Sequence, residues 1–187
     1  MLALDQIAQP KLNTNSVVAG RLLLPPLITA QENLNLMELL NPLIDRAAAT
    51  AKLQGYTWLG PAQIPAWLEE LRPVKEGVVA EIVANLLENA FRYSPLRSSI
   101  GISFNKSGIC VWDNGPSIPE SERKKIFQKG YRNQKSKSFR GSGMGLSLGR
   151  DLAKQFGGEL ALIMNPSCFN EMLPKEGNAF VINMPVR

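Results

Sequence analysis

One stretch of the sequence places polar side chains at helical spacing and so concentrates ligand chemistry on one face. Glu81, Asn85, Asn89 and Arg92 or Tyr93 follow one another at steps of three or four residues. On an α-helix such residues lie one above the other and can contact one ligand together. Asn is a poor helix former, so two Asn residues one turn apart indicate a role beyond helix formation. The alternative is an ordinary solvated polar face.

A second candidate group is the carboxylate of Asp113, which ends an alternating apolar segment. Ile109, Val111 and Asp113 occupy alternate positions, so a strand would direct their side chains to the same face. A carboxylate on an apolar face is costly unless it accepts hydrogen bonds. The exocyclic amine of adenine is a suitable donor. The alternative is an Asp that begins a turn, because Asp, Asn and Gly at 113–115 are all common in turns.

A third segment has glycines at alternate positions directly before a predicted helix. Gly141, Gly143 and Gly145 allow the backbone to approach phosphate oxygens, and the helix start adds free N–H groups and a favourable dipole. The segment therefore predicts an anion site, with a flexible glycine linker as the alternative. It is not a Walker loop, because no Lys-Ser or Lys-Thr pair follows, nor the dinucleotide fingerprint, because a basic polar run precedes it and the third glycine comes one position early.

Hydrophobic periodicity predicts the elements that must position these groups. Pro95 should end the helix that carries the Asn residues, and Gly157 and Gly158 should end the helix after the glycine segment. The predicted elements are a helix from about 34 to 55, a strand at 56–60, a helix from about 74 to 94, hairpin strands near 100–104 and 109–113, a helix from about 146 and a final strand at 178–187.

Composition and charge exclude several classes of function. The chain has 187 residues, of which 44% are hydrophobic and 20% charged, as expected for one folded domain with extensions. Its net charge of +5 is spread along the sequence and aromatic-rich signatures are missing, so we expect no nucleic-acid partner. No signal-like or membrane-length apolar segment is present, so we expect a cytoplasmic chain without membrane contact. Cys110 and Cys168 match no metal spacing and are expected to be incidental thiols.

Three of these segments stand in the order and spacing of one nucleotide site: ANLLENAFRYSP at 84–95, VWDNGPSIP at 111–119 and GSGMGLSLGRDLAKQFGG at 141–158. Together they resemble the asparagine box and the two glycine boxes of the ATP-binding domain of sensor histidine kinases. The resemblance covers residues 34–187. It implies a Bergerat-type α/β fold, a two-layer sandwich whose mixed sheet is covered on one face by helices, with a mobile lid over the nucleotide. Residues 1–33 are then a linker or the remnant of a preceding dimerisation segment.

The resemblance also implies roles for individual residues. Asn89 matches the asparagine that holds Mg²⁺ through its amide oxygen, a type of ligand that Mg²⁺ prefers. Asn85 should lie beside the metal and Arg92 near the terminal phosphate, and we expect these two residues to be catalytic. Asp113 should read the adenine. The other residues expected to contact ATP are Arg92, Tyr93, Gly115, Ile118, Phe127, Gly141, Ser142, Gly143, Met144, Gly145 and Leu146.

The predicted lid lies between Phe127, which matches the phenylalanine box of these kinases, and the glycine segment. Its core, NQKSKSFR at 133–140, is polar and without periodicity. Basic residues in and beside it would surround a triphosphate with positive charge, although each of them also fits a solvated loop without a ligand role. These residues are Lys129, Arg132, Lys135, Lys137 and Arg140.

The function implied is binding of Mg·ATP and donation of its γ-phosphoryl group to a histidine, from which a response regulator takes it. The chain contains no histidine, which excludes Ser-His-Asp catalysis, His-ligated zinc and the H-R-D loop of Ser/Thr/Tyr kinases. The accepting histidine must then lie on a separate dimerisation domain, and we expect the parent kinase to be a homodimer. Such transfer depends mostly on positioning and charge stabilisation, so no nucleophile is required here.

Two other functions remain open from the sequence. Ser117 stands where the family pattern has a second glycine, and a side chain there would crowd the base or stiffen the turn, which fits a degenerate nucleotide-binding module without turnover. Serine-directed kinases of the same superfamily are compatible with a chain that lacks histidine. ATPases of the gyrase, mismatch-repair and chaperone kinds are disfavoured, because Asn85 stands where they carry a water-activating glutamate.

Overall fold

The computed structural model describes residues 35–61, 64–66, 68, 76–106, 108–132 and 142–184. Several predicted features lie outside the described residues: the linker at 1–33, the end of the final strand, Lys135, Lys137 and Arg140 of the lid, and Gly141 of the glycine segment. Within them, the elements in chain order are α1 (Leu36–Gln54), β1 (Thr57–Leu59), α2 (Glu76–Tyr93), β2 (Ser99–Asn105), β3 (Gly108–Asp113), α3 (Glu120–Arg123), a 3-10 turn (Lys125–Phe127), α4 (Gly145–Gln155), β4 (Glu159–Ile163), a 3-10 turn (Pro166–Cys168) and β5 (Asn178–Asn183).

The strands form one mixed sheet in the order β1-β2-β3-β5-β4. β1 runs parallel to β2, whereas the β2–β3, β3–β5 and β4–β5 pairs are antiparallel. The predicted hairpin is the β2–β3 pair, in which Asn105 lies opposite Gly108 and Ile100 lies opposite Asp113. β3 therefore sits in the middle of the sheet and ends at Asp113, directly beside the first residue of β5, Asn178.

Helix α1 begins and ends at local signals that the sequence carries. The side chain of Asn35 accepts a hydrogen bond from the Glu38 N–H (2.9 Å), and the Glu38 carboxylate accepts one from the Asn35 N–H (2.9 Å). This reciprocal pair is a capping box, which satisfies two donors at the helix start. At the other end, Gly55 adopts the left-handed conformation with φ +78° and stops the helix.

Helix α2 is central, because it packs against α1 on one side and α4 on the other. It ends at Tyr93, shortly before Pro95, as predicted. The predicted apolar stripe is buried in the helix layer: Val79, Ile82, Val83, Leu86, Leu87 and Ala90. The same residues orient the opposite, polar face of α2 toward the start of α4.

The two faces of the sheet are covered differently. The helix layer covers the face that carries Ile109 and Val111. The other face carries a smaller cluster around Cys110 and Trp112, against which Phe169 and Leu173 of the β4–β5 connection pack. The helix-covered face agrees with the predicted sandwich, whereas the cover over the second face was not predicted. No helix within the described part of the chain combines the length and apolar character needed to cross a membrane.

Candidate nucleotide site

The two Asn residues of α2 lie half-buried on the face that turns toward α4. A Cβ atom built on Gly145 would stand 3.5 Å from Asn85 Oδ1, so the side-chain amide faces the first residue of α4. Among the described residues, no hydrogen bond occupies the amide of Asn85 or Asn89. Half-buried amides without a partner differ from a solvated polar face and are available to a ligand.

The start of α4 offers backbone donors at the same place. Met144 precedes the helix and provides no side-chain cap, so the first N–H groups of α4 have no side-chain acceptor at that position. Uncapped N–H groups at the positive end of a helix dipole favour an anion. Leu146 is half-buried against the core, whereas Ser142 and Met144 are exposed.

Gly143 connects this helix start to the segment before the predicted lid. Its φ of +69° lies in the left-handed region, and an added Cβ would stand 2.7 Å from the Tyr131 carbonyl oxygen. The Gly143 carbonyl accepts a hydrogen bond from the Gly130 N–H (3.1 Å). The two ends of the predicted lid are thus joined by a close backbone contact that leaves no room for a side chain.

Asp113 lies on the helix-covered face of the sheet and only 7% of it is exposed. Its Oδ1 accepts hydrogen bonds from the Gly115 N–H (2.9 Å) and from Asn178 Nδ2 (3.0 Å). Burial raises the pKa of the carboxyl, and the bonds from Asn178 and Gly115 partly oppose that rise. The buried Ser94 hydroxyl also favours ionised Asp113, although the Ser94 oxygen makes no hydrogen bond of normal geometry. Both hydrogen bonds that the described residues donate to Asp113 use Oδ1, so Oδ2 can accept from a further partner.

The turn after Asp113 contacts the end of α2. A Cβ on Gly115 would stand 2.8 Å from Asp113 Oδ1, 3.3 Å from Pro95 Cδ and 3.5 Å from Ser94 Cα. A side chain at position 115 would therefore press on the Asp113 carboxylate and the Pro95 ring where the turn packs against the helix end. The Tyr56 hydroxyl supports that helix end by donating to the Phe91 and Ser94 carbonyls (3.1 Å each), and burial raises its pKa.

Arg92 and Phe127, two predicted site residues, contact other side chains in this structure. Arg92 forms an ion pair with Glu88, one turn earlier on α2. Tyr93, a third predicted site residue, is about half exposed (48%). Phe127 packs edge-on against Phe180 with ring centroids 6.3 Å apart, and the Arg150 guanidinium lies 4.8 Å from its ring centre. These contacts join the segment before the predicted lid to β5 and α4.

Ile118 and Ser117 are held by the start of β5. The Ile118 N–H donates to Asn178 Oδ1 (2.9 Å), and the Ser117 hydroxyl donates to the Gly177 carbonyl (3.3 Å). The Ser117 side chain is therefore directed toward β5. The turn therefore accommodates Ser117 at the position where the resembled family pattern has a second glycine.

Sequence reasoning missed two residues of this region. Glu88 could have been found, because its spacing of four residues from Arg92 is that of a helical ion pair. Asn178 carried no local signal, because its position depends on the pairing of β3 with β5, which are far apart in sequence.

A cavity of about 470 Å³ lies elsewhere, at the C-terminal end of α4. Its lining includes Arg150, Lys154 and Asn183, and none of the predicted nucleotide residues.

Comparison with known proteins identifies the family. Residues 75–187, more than half of the chain, match the family described as "Histidine kinase-, DNA gyrase B-, and HSP90-like ATPase". The chain belongs to this family. The resemblance noted in the sequence is thereby confirmed, and an ATPase domain of this family implies nucleotide binding.

Similar curated proteins are sensor kinases. The chain is 39% identical over 140 residues to the sensor histidine kinase Hik2 of Thermosynechococcus vestitus, a match that covers 71% of this chain and 35% of Hik2. It is 32% identical over 116 residues to the adaptive-response sensory kinase SasA of Synechocystis, which covers 59% of this chain and 28% of SasA. The matches thus span about a third of these relatives or less.

Solved structures of similar fold are also histidine kinase domains. The catalytic domain of histidine kinase ThkA has a TM-score of 0.57 at 22% identity, with 78% of this chain and 93% of ThkA covered. The mycobacterial sensor histidine kinase MprB has a TM-score of 0.56 at 21% identity, with 82% of this chain and 99% of the MprB chain covered. At this identity the likeness supports the fold, and the expected fold class is confirmed.

Proposed function

We propose that this chain is the catalytic domain of a sensor histidine kinase, which binds Mg·ATP and donates the γ-phosphoryl group to a histidine on a separate dimerisation domain. A response regulator then takes the phosphoryl group from that histidine, within a homodimeric, cytoplasmic parent assembly. The family match and the sensor kinases among the relatives support this proposal. Because the chain has no histidine, the acceptor must be supplied by another segment or chain.

One observation carries the proposal: a single helix contacts both halves of the candidate site. The middle of α2 presents Asn85 to the start of α4, and its C-terminal end contacts the turn after Asp113 at Gly115. A triphosphate at the α4 start and a base at Asp113 would therefore both lie along α2. An ordinary amphipathic helix would need only its apolar stripe to pack, and would not need to place an amide beside α4 and its end beside Gly115.

The donor set fits Mg·ATP. Asn89 offers a neutral amide oxygen that no described residue occupies, and we assign it to the metal. Asn85 then lies beside the metal and the phosphates, which also contact the segment from Ser142 to Leu146 at the α4 start. Asp113 is assigned to the exocyclic amine of adenine, and Gly115 and Ile118 to the surface of the base.

The protein contributes positioning and charge to the transfer. Mg²⁺ held by Asn89 would neutralise part of the charge on the phosphates. The α4 start supplies preorganised N–H groups, which need no rearrangement when charge develops on the phosphate oxygens. Arg92 is assigned to the terminal phosphate as a catalytic residue with Asn85, and it must exchange its partner Glu88 for the phosphate to act there.

Calorimetric titration with ATP and GTP, each with and without Mg²⁺, tests the binding half of the proposal. We expect ATP to bind more tightly than GTP and more tightly with Mg²⁺. Asn89→Ala should remove most of the gain from Mg²⁺, and Asp113→Asn should reduce the preference for ATP. Asn41→Ala, an exposed Asn on α1, serves as the control and should leave both unchanged. Wild-type affinities in both site variants would disprove the assigned pocket.

The transfer half requires an acceptor. The chain should be mixed with ATP labelled at the γ-phosphate and with the histidine-bearing dimerisation domain of its parent kinase. The label should appear as phosphohistidine, which is labile to acid and stable to base. Acid-stable label on a serine substrate would favour a serine-directed kinase, and tight binding without any transfer would favour a nucleotide-binding module that lacks turnover.

A further inference from the structure

We propose that Asn178 is a positioning residue for nucleotide recognition: it holds the Asp113 carboxylate and the turn after it in the arrangement that reads the base. Asn178 is the first residue of β5 and lies opposite Asp113 in the β3–β5 register. The inference rests on the proposed function, because it assigns a role within the nucleotide site. It adds a residue that no sequence motif of the site contains.

Both polar atoms of the Asn178 side-chain amide form hydrogen bonds within the protein. Its Nδ2 donates to Asp113 Oδ1 (3.0 Å) and to the Pro116 carbonyl (3.0 Å), and its Oδ1 accepts from the Ile118 N–H (2.9 Å). The opposite amide orientation would direct its oxygen at two acceptors and its NH₂ group at a donor, so the network determines the orientation. Asn178 is also buried, with 9% exposed.

These bonds determine the shape of the turn. Asn178 contacts the backbone on both sides of Ser117, at Pro116 and at Ile118, and so joins the turn to β5. Gly177, with φ +119°, brings the β5 backbone so close that a side chain there would overlap the Asp113 carbonyl. The turn and the strand are therefore in direct contact, and the Asn178 amide supplies the polar partners that this buried turn needs.

The same bonds determine the orientation of the carboxylate. Both donors to Asp113, the Asn178 amide and the Gly115 N–H, use Oδ1, which fixes the rotation of the group and leaves Oδ2 for a ligand donor. Since both N–H donors of the Asn178 amide bond to the protein, Asn178 has no donor left for the base. It acts through Asp113, which is why we describe it as positioning rather than catalytic.

Few other polar groups act on Asp113 from the surrounding elements. The Gly115 N–H approaches from the turn and the Ser94 hydroxyl from the end of α2, where Tyr56 also bonds to the backbone. On β2, the register partner is the apolar Ile100. Among the described residues, the groups that shift its pKa are thus uncharged, so the loss of Asn178 is not masked by a nearby ion.

The test compares Asn178→Leu with Asn183→Leu, the same change at the other end of β5, where the register partner is Gly108. The Asp113 carboxyl is titrated by NMR in the nucleotide-free protein. Loss of the Asn178 donor removes a bond that favours the charged form, so the titration should move upward by about one pH unit. At pH 7, ATP affinity should fall about tenfold and the preference over GTP should shrink. Asn183→Leu should change none of these.

Two results would overturn the inference: an unchanged Asp113 titration in Asn178→Leu, or a shifted titration with wild-type ATP affinity and selectivity. Should Asn178→Leu fail to fold, Asn178→Ala removes the same three hydrogen bonds without a larger side chain, and the same criteria apply to it. Failure of the wild type to bind ATP would refute the proposed function instead. The titration would then still decide whether Asn178 holds Asp113.

Discussion

At the scale of single residues, the Asp113 carboxylate is where folding and binding make opposite demands. Burial disfavours its charge and raises its pKa, while the assigned adenine amine is a donor that bonds more strongly to an ionised acceptor. Its folded-state pKa lies above the ordinary value of 3.8, so the folded protein keeps this proton to higher pH than the unfolded chain does. The stability that protonated Asp113 contributes is present at low pH and is lost as pH rises through the folded-state pKa.

Asp113→Asn should therefore stabilise the nucleotide-free protein at pH 7 while it weakens ATP selectivity. The Asn oxygen can still accept the bonds from Gly115 and Asn178, and the buried charge is gone. The difference in unfolding free energy between variant and wild type should shrink as the pH is lowered toward the Asp113 pKa. Urea unfolding from pH 7 down to about pH 4 measures it. An Asp113→Asn variant less stable than wild type at pH 7 would contradict the claim that the buried Asp113 charge destabilises the fold.

Glu88→Gln tests the ion pair that occupies Arg92. The change removes the charge that holds Arg92 along α2, so the guanidinium becomes freer to contact the terminal phosphate. We expect ATP affinity to rise about twofold, as the energy of a helical i,i+4 ion pair allows, and ADP affinity to change less. Arg92→Ala should lower ATP affinity. A Glu88→Gln variant that binds ATP more weakly would refute this role for Arg92.

At the scale of elements, the site depends on two glycines that lie where neighbouring segments approach one another closely. Gly115 brings the turn after β3 against the end of α2, and Gly143 joins the start of α4 to the segment at 130–132. The second contact lies directly before the start of α4, which faces Asn85. The glycines thus act on geometry between elements as well as on local conformation.

Gly143→Ala and Gly157→Ala separate the effect of a steric clash between segments from the effect of local backbone strain. Both glycines have a positive φ (+69° and +78°), but an added Cβ meets the Tyr131 carbonyl at Gly143 and open space at Gly157. Gly157→Ala should cost about 1 kcal/mol from left-handed strain alone and leave ATP affinity unchanged. Gly143→Ala should cost more stability and reduce ATP affinity. Thermal unfolding and ATP titration of both variants provide the comparison; equal effects would exclude the steric role of Gly143.

At the scale of the whole molecule, the sheet is covered on both faces, though by different means. The helices bury Ile109 and Val111, and the β4–β5 connection buries Cys110 and Trp112 with Phe169. This second cover isolates the middle strand from water along its whole length, since every residue of β3 is buried. The strand that ends at Asp113 is therefore rigidly held from both sides.

Thiol reactivity reports on this second cover. Burial raises the pKa of the Cys110 thiol to about 12, whereas Cys168 is exposed on the β4–β5 connection. Near pH 8, one thiol of the native protein should react with an aromatic disulfide reagent, and both should react in denaturant. Cys168→Ser should abolish the native reaction. Rapid reaction of both thiols in the native protein would mean that the cover opens readily.

The sequence by itself determined most of the elements and the groups that they carry, although the edge strand β4 was not predicted. The apolar stripe of α2, the alternation that ends at Asp113 and the glycines before α4 are local patterns, because helical and strand periodicity depend only on neighbouring residues. Tertiary structure alone decided which distant residues meet. Asn178 reaches Asp113 only through the β3–β5 register, and the cover over Cys110 and Trp112 depends on how the β4–β5 connection folds back. Such contacts follow from strand pairing and packing across long sequence separations, which no local pattern encodes.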